Sequence, residues 1–351
     1  MVGLVYRSRR LATSADALCR SGDAECSESA ARALRSTAFG RNRMRPLWAQ
    51  WLDAPMSGSY LRIKHMYEQD RAGELRVRGA GPTLSYEVVG PTTDRQSASA
   101  VTCLCLHGNS SHRGVWRPVS RKLLEHRCVL LDFRGHGESE HISPAAYNPE
   151  HHAEDLAALV PRLMQTPYAI LAHSAGALAA ARFMTSRPAP SATAMPIAFV
   201  WVDLDPLVPR WQVDYFHQGV ASVARTFPAV DDALRGFRRI YPNIPEDRLR
   251  SFVVEGLREI DGGWRMKLDP ATYGTWEPGD LRPVLPQIAI PTLILRGAES
   301  IVTSAEGLAA LVEGLPNREV REIKGGSHML LLEHPEEVTQ TIRDFLRAHR
   351  P

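Results

Sequence analysis

The stretch Tyr168-Ala-Ile-Leu-Ala-His173-Ser174-Ala175-Gly176 constrains this chain more than any other. Its first six residues are mostly apolar and follow Pro167, the length and setting of a strand buried on both faces. An alanine-rich helical pattern over 177–184 begins directly after it. A strand that runs into a helix without a loop needs a very tight turn, so the residues two before and two after the turn serine must be small. Ala172 and Gly176 meet that requirement. Such a turn exposes the Ser174 hydroxyl at the carboxyl edge of a sheet. It also aims the N-terminus of the next helix at that hydroxyl, an end with partial positive charge and free N–H groups.

The rest of the chain supplies the sheet. The residues at 74–78 and 84–89 read as a hairpin around Gly79, Gly81 and Pro82. Short apolar runs then recur at 101–106, 128–132, 168–173, 197–203, 292–296 and 319–323, with helical stretches between most of them. This rhythm predicts βαβ units and a mostly parallel sheet, an α/β fold. One gap breaks it. Between Asp203 and Thr292 the pattern gives helical pieces near 211–226, 231–240 and 246–260, no convincing strand, and many rings, among them Trp211, Phe216, Tyr273 and Trp276. The expectation is a helical cap over 207–288, whose rings form a small core of its own or line an apolar pocket as a lid.

The division expected is therefore an N-terminal extension over 1–70, a main domain over 71–351, and the cap inserted within it. A chain of 351 residues can bury a large core without disulfide or metal staples. Its net charge of +3 is too small to imply a nucleic-acid groove, and no nucleic-acid partner is expected. The basic excess sits in residues 1–45, which hold nine Arg and four acidic residues. That Arg- and Ser-rich start resembles a mitochondrial presequence or a loose tail. Five cysteines with no Cys-x-x-Cys spacing give no zinc or dithiol motif, and a reduced, cytoplasmic setting is expected. No metal or other cofactor is expected, and no run of about 18 uncharged apolar residues marks a membrane span.

Three further segments carry chemistry. Leu106-His107-Gly108-Asn109-Ser110-Ser111 follows the third strand run, and Asp132-Phe133-Arg134-Gly135-His136-Gly137-Glu138-Ser139 follows the fourth. Gly325-Gly326-Ser327-His328 precedes the last helix. In order and spacing these segments, with the Ser174 turn, resemble the α/β-hydrolase superfamily in its serine-nucleophile, esterase-like branch, from about residue 74 to the C-terminus. The resemblance implies an eight-stranded, mostly parallel sheet flanked by helices. It implies Ser174 as nucleophile and His328 as the base that takes its proton. It assigns the oxyanion hole to the backbone N–H groups of Asn109 and Ala175, and it makes His107 a brace of the oxyanion loop. Ala172 departs from the glycine commoner at that position.

The acid that orients the base departs further. Where the family commonly has Gly-x-x-Asp, this chain reads Gly297-Ala298-Glu299-Ser300. Asp203, in Val202-Asp203-Leu204-Asp205-Pro206, is the favoured acid, with Glu299 as the alternative and Asp205 behind both. A serine at the turn excludes the branches that use an aspartate there. The expected substrate is a small to medium apolar carboxylic ester, a thioester or a related acyl compound. His-Gly-Asn-Ser-Ser also resembles the loop of some acyl-homoserine-lactone hydrolases, so a lactone is a further expectation. A non-catalytic ligand-binding protein on the same frame is the remaining one.

Overall fold

The computed structural model describes residues 71–76, 81–91, 100–164, 167–186 and 195–349. The 1–70 extension lies outside the described residues, and so does the hairpin turn around Gly79. Eight strands form one sheet: β1 (Arg71–Arg76), β2 (Thr83–Val89), β3 (Thr102–Leu106), β4 (Arg127–Leu131), β5 (Tyr168–His173), β6 (Ala198–Val202), β10 (Thr292–Gly297) and β11 (Arg318–Ile323). Their spatial order is β1-β2-β4-β3-β5-β6-β10-β11. β2 is antiparallel to both β1 and β4, and every other pairing is parallel.

The central strands β3, β5 and β6 are buried at every position, as strands covered by helices on both faces must be. One face packs Leu104, Leu106, Ile170, Phe199, Trp201 and Ile294 into a core shared with the helix α1 (Pro149–Leu163) and with α2 (Ala175–Thr185). Cys103 and Cys128 sit opposite one another on β3 and β4, and Cys105 is buried beside them, as small core residues. From β3 the chain steps to β4 on one side, and from β5 it steps to β6 on the other. A crevice opens outside the carboxyl ends of two neighbouring strands whose connections leave in opposite directions. Asn109 follows β3 and Ser174 follows β5, so both flank that crevice.

The segment between β6 and β10 holds helices α3 (Arg210–Gln218), α4 (Val230–Ile240) and α5 (Glu246–Glu255). It is not wholly helical. Phe227 and its neighbour Thr226 (β7), Leu257–Ile260 (β8) and Gly263–Met266 (β9) form a three-stranded antiparallel sheet in the order β7-β9-β8. The helix expected over 246–260 stops at Gly256, and Asp261-Gly262 turns β8 into β9, with Gly262 at φ +81°. The helix expected over 211–226 is likewise broken at Gly219. Phe216 meets Tyr273 and Trp276 edge-on, with centroids 4.9 and 4.6 Å away, so these rings make a local core. After β10, α6 (Ala305–Gly314) and α7 (Pro335–Ala348) complete the layers.

Candidate active site

Three non-glycine residues among those described hold a positive φ: Ser110 at 65°, Ser174 at 54° and Asp203 at 54°. Each L-residue in this region costs roughly 1–3 kcal/mol, and such residues gather where geometry serves chemistry. All three lie at the carboxyl edge of the sheet, after β3, β5 and β6.

Ser174 is the turn between β5 and α2. Its N–H donates to the Val202 carbonyl at 2.8 Å, which ties the turn to β6. The turn also receives the loop that follows β3. A Cβ built on Gly108 would lie 2.7 Å from the Ser174 Cβ, and one on Gly176 would lie 2.6 Å from the His107 carbonyl oxygen. Any side chain at either position would push the two loops apart. With glycine at both, Asn109 and the first N–H groups of α2 are brought to the same corner as the serine. Ala175 is the first residue of α2, so its N–H has no partner within the helix.

His107 holds this loop from beneath. Its Nδ1–H donates to the Gly108 carbonyl at 2.7 Å, and its Nε2 accepts the Phe133 N–H at 3.0 Å. Burial pushes the imidazole down to about 3, so the ring is neutral and this single tautomer satisfies both contacts. The loop continues to His112, whose Nε2–H donates to the Phe252 carbonyl of α5 at 3.0 Å while Nδ1 accepts the Gly114 N–H at 3.2 Å. Its ring stacks on Phe252 with centroids 4.6 Å apart. Arg117 pairs with both Glu87 of β2 and Glu255 of α5, a second tie between α5 and the main sheet.

His328 lies on the loop after β11. Its Nδ1 stands 2.7 Å from Asp203 Oδ2, and the Asp203 side chain is wholly buried. Asp203 reaches that place because its positive φ turns the side chain across the end of β10, where Gly297 N–H donates to Oδ1 at 3.1 Å. Ser300 Oγ donates to Oδ2 at 2.5 Å and Thr303 Oγ1 to Oδ1 at 3.3 Å. The histidine loop is pinned from two sides. Glu333 accepts from both the N–H and the hydroxyl of Ser327, each at 2.7 Å, and His173 Nε2–H donates to the His328 carbonyl at 2.8 Å.

The other two carboxylates lie elsewhere. Glu299 is exposed, and its backbone N–H donates to the Gly326 carbonyl at 2.9 Å. Asp205 accepts the Ser304 N–H at 2.9 Å and the Ser304 hydroxyl at 2.8 Å, anchoring the start of α6. The sequence pattern assigns no role to His173, Ser300, Thr303 or Glu333. Each acts through a partner about 100 or more residues away or through a loop, and no local pattern signals that. Glu333, in Leu332-Glu333-His334-Pro335, was the one visible clue, since a buried carboxylate beside a motif histidine needs donors.

The chain belongs to the alpha/beta hydrolase family, whose model it matches over residues 103–341. It is 27% identical over 258 residues to the 2-(acetamidomethylene)succinate hydrolase of Mesorhizobium japonicum, a match covering 72% of this chain and 91% of that one. It is 28% identical over 257 residues to a pimeloyl-[acyl-carrier protein] methyl ester esterase of Xanthomonas oryzae, covering 69% and 94%. The crystal structure of E-2-(acetamidomethylene)succinate hydrolase shares the fold, with a TM-score of 0.69 at 24% identity over 79% of this chain and 99% of that one. No described helix is long and apolar enough to cross a membrane.

The neutral histidines set a pH limit on the fold. Burial pushes His107, His136 and His173 down to about 3 and His112 down to about 4. A base lowered in the native state binds fewer protons there than in the unfolded chain. Its stabilising effect is complete above about pH 6.5 and is lost as pH falls toward the folded value. These four alone give a slope of up to about 5 kcal/mol per pH unit, and His152 and His141, which burial also lowers, act in the same sense. Glu87, Asp155, Asp205 and Glu255, raised by burial, act in the opposite sense, from the ordinary carboxylate range up to their raised values. Between pH 6.5 and 5 the imidazoles prevail, and the melting temperature is expected to fall by on the order of 10 °C or more. A melting curve unchanged across that interval would show that the buried rings protonate freely.

Proposed function

We propose that the protein is a serine hydrolase that cleaves a small to medium apolar carboxylic ester or thioester through an acyl-enzyme. The observation that carries this reading is the 2.7 Å approach of His328 Nδ1 to buried Asp203, at the same sheet edge as the strained Ser174. In this reading Asp203 holds the imidazole with its proton on Nδ1, which leaves Nε2 free to act as base. Ser174 Oγ attacks the acyl carbon, and its proton passes to His328. The carbonyl oxygen takes the negative charge between the N–H groups of Asn109 and Ala175. The tetrahedral species collapses as the alcohol or thiol leaves with the proton from His328. Water then repeats the sequence on the acyl-enzyme, releasing the acid and restoring Ser174. α5, tied to the loop after β3 by the hydrogen bond from His112 to the Phe252 carbonyl, is read as part of a lid over this edge.

A second reading, a small polar acyl compound, is favoured by the likeness to a hydrolase named for 2-(acetamidomethylene)succinate. A fluorophosphonate probe followed by peptide mapping tests the shared mechanism: label on Ser174 is expected, and unlabelled folded protein would reduce the chain to a ligand-binding relative. A panel of p-nitrophenyl esters with apolar and with carboxylate-bearing acyl groups then separates the two substrate classes.

A further inference from the structure

Ser300 stands where the alpha/beta hydrolase pattern commonly carries its acid, and its hydroxyl is spent on the carboxylate that stands in for that acid. The contact is well defined. Ser300 Oγ accepts the Val302 N–H at 3.1 Å, so its own proton is directed at Asp203 Oδ2, 2.5 Å away. The Ser300 N–H is held by the Gly297 carbonyl at 3.0 Å, which fixes the turn after β10. Oδ2 is the same oxygen that faces His328 Nδ1. Two donors therefore share one oxygen, while Gly297 N–H and Thr303 Oγ1 share the other.

We propose that Ser300 is a positioning residue of the active site: its hydroxyl fixes the rotamer of Asp203 and draws negative charge away from the oxygen that serves His328. The proposal rests on the reading of Asp203 and His328 given above. A carboxylate oxygen that already accepts a strong donor is a weaker partner for an imidazolium, so Ser300 limits how firmly the protonated base is held. The base must give its proton to the leaving group in the same cycle, and an over-stabilised imidazolium would retain it. The other titratable groups at this corner are His173, which feels both His328 and Asp203, and Asp205, which feels Asp203. Glu333 is engaged by Ser327 and Glu299 is exposed. None of these changes when only the 300 hydroxyl is removed.

The test is the pH profile of kcat/KM for a p-nitrophenyl ester, run on the full chain. Wild-type activity and Ser174 labelling are confirmed first, so that failure of the serine-hydrolase reading shows there and not in the variants. Ser300→Ala is expected to move the acidic limb upward by roughly half a pH unit and to lower kcat several-fold with KM little changed. Ser300→Thr, which keeps the hydroxyl, is expected to retain the wild-type limb. If the alanine variant is too unstable to assay, Ser300→Cys, whose thiol is larger and only a weak donor, carries the same expectation. An acidic limb that stays in place in the assayable variant would overturn the proposal and leave Ser300 a structural hydroxyl.

Discussion

Ser174→Ala is expected to lower kcat for a p-nitrophenyl ester by about 10⁶ while leaving the fold and melting temperature nearly unchanged. The size follows from what is lost. Without Oγ no acyl-enzyme can form, and the base and oxyanion donors are left with only water to direct. The fold survives because the substitution keeps the Cβ, and alanine meets the same backbone cost at φ 54° that serine does. The contact of Gly108 with the residue 174 Cβ is also retained. Circular dichroism and a melting curve on the same preparation guard against reading misfolding as lost chemistry. Activity above a few per cent in clean protein would move the nucleophile to another residue.

Asp203→Asn is expected to cost about 10⁴ in kcat, and Glu299→Gln less than about tenfold. Asparagine keeps the shape of Asp203 and tolerates a positive φ, so the corner with Gly297 and Thr303 is disturbed little. What changes is the face turned to His328, because an amide can present its NH₂ to Nδ1 and so favour the tautomer that carries the proton on Nε2. That tautomer cannot accept the proton of Ser174. Glu299 is exposed and lies outside this corner, so its amide analogue alters only surface charge. A crippled Glu299→Gln beside an active Asp203→Asn would reverse the assignment. Large losses in both would mean that the two carboxylates share the role.

Most of the main sheet was legible because buried strands write themselves as short apolar runs; the edge strand β11, exposed at three of its six positions, is the exception. Every run from 101–106 to 319–323 corresponds to an observed strand to within a residue or so. The β8–β9 hairpin was not read, since four-residue strands are too short for alternation to show, and β8 continues the apolar spacing of α5. Its one local signal was Asp261-Gly262. At the site, Ser174 and its small neighbours were legible because a turn's steric demands are local. The carboxylates were not separable by the same means. Which of them approaches His328 depends on the φ of Asp203 and on the packing of β6 beside β10, neither of which a one-dimensional pattern encodes. Ser300 read as a gap in a motif, and its contact with Asp203 spans 97 residues.

The two left-handed residues at the ends of β5 and β6 bear on any attempt to engineer a hardier protein. Ranked by backbone strain alone, positions 174 and 203 head the candidates for replacement by glycine, which adopts φ near +54° without steric cost. On the assignments proposed here, each gain in durability would come by deleting the nucleophile or the residue that orients its base. The molecule keeps its least comfortable conformations where it keeps its reactivity, so thermostability has to be sought elsewhere, in positions such as exposed Leu124, 68% accessible and remote in sequence from both.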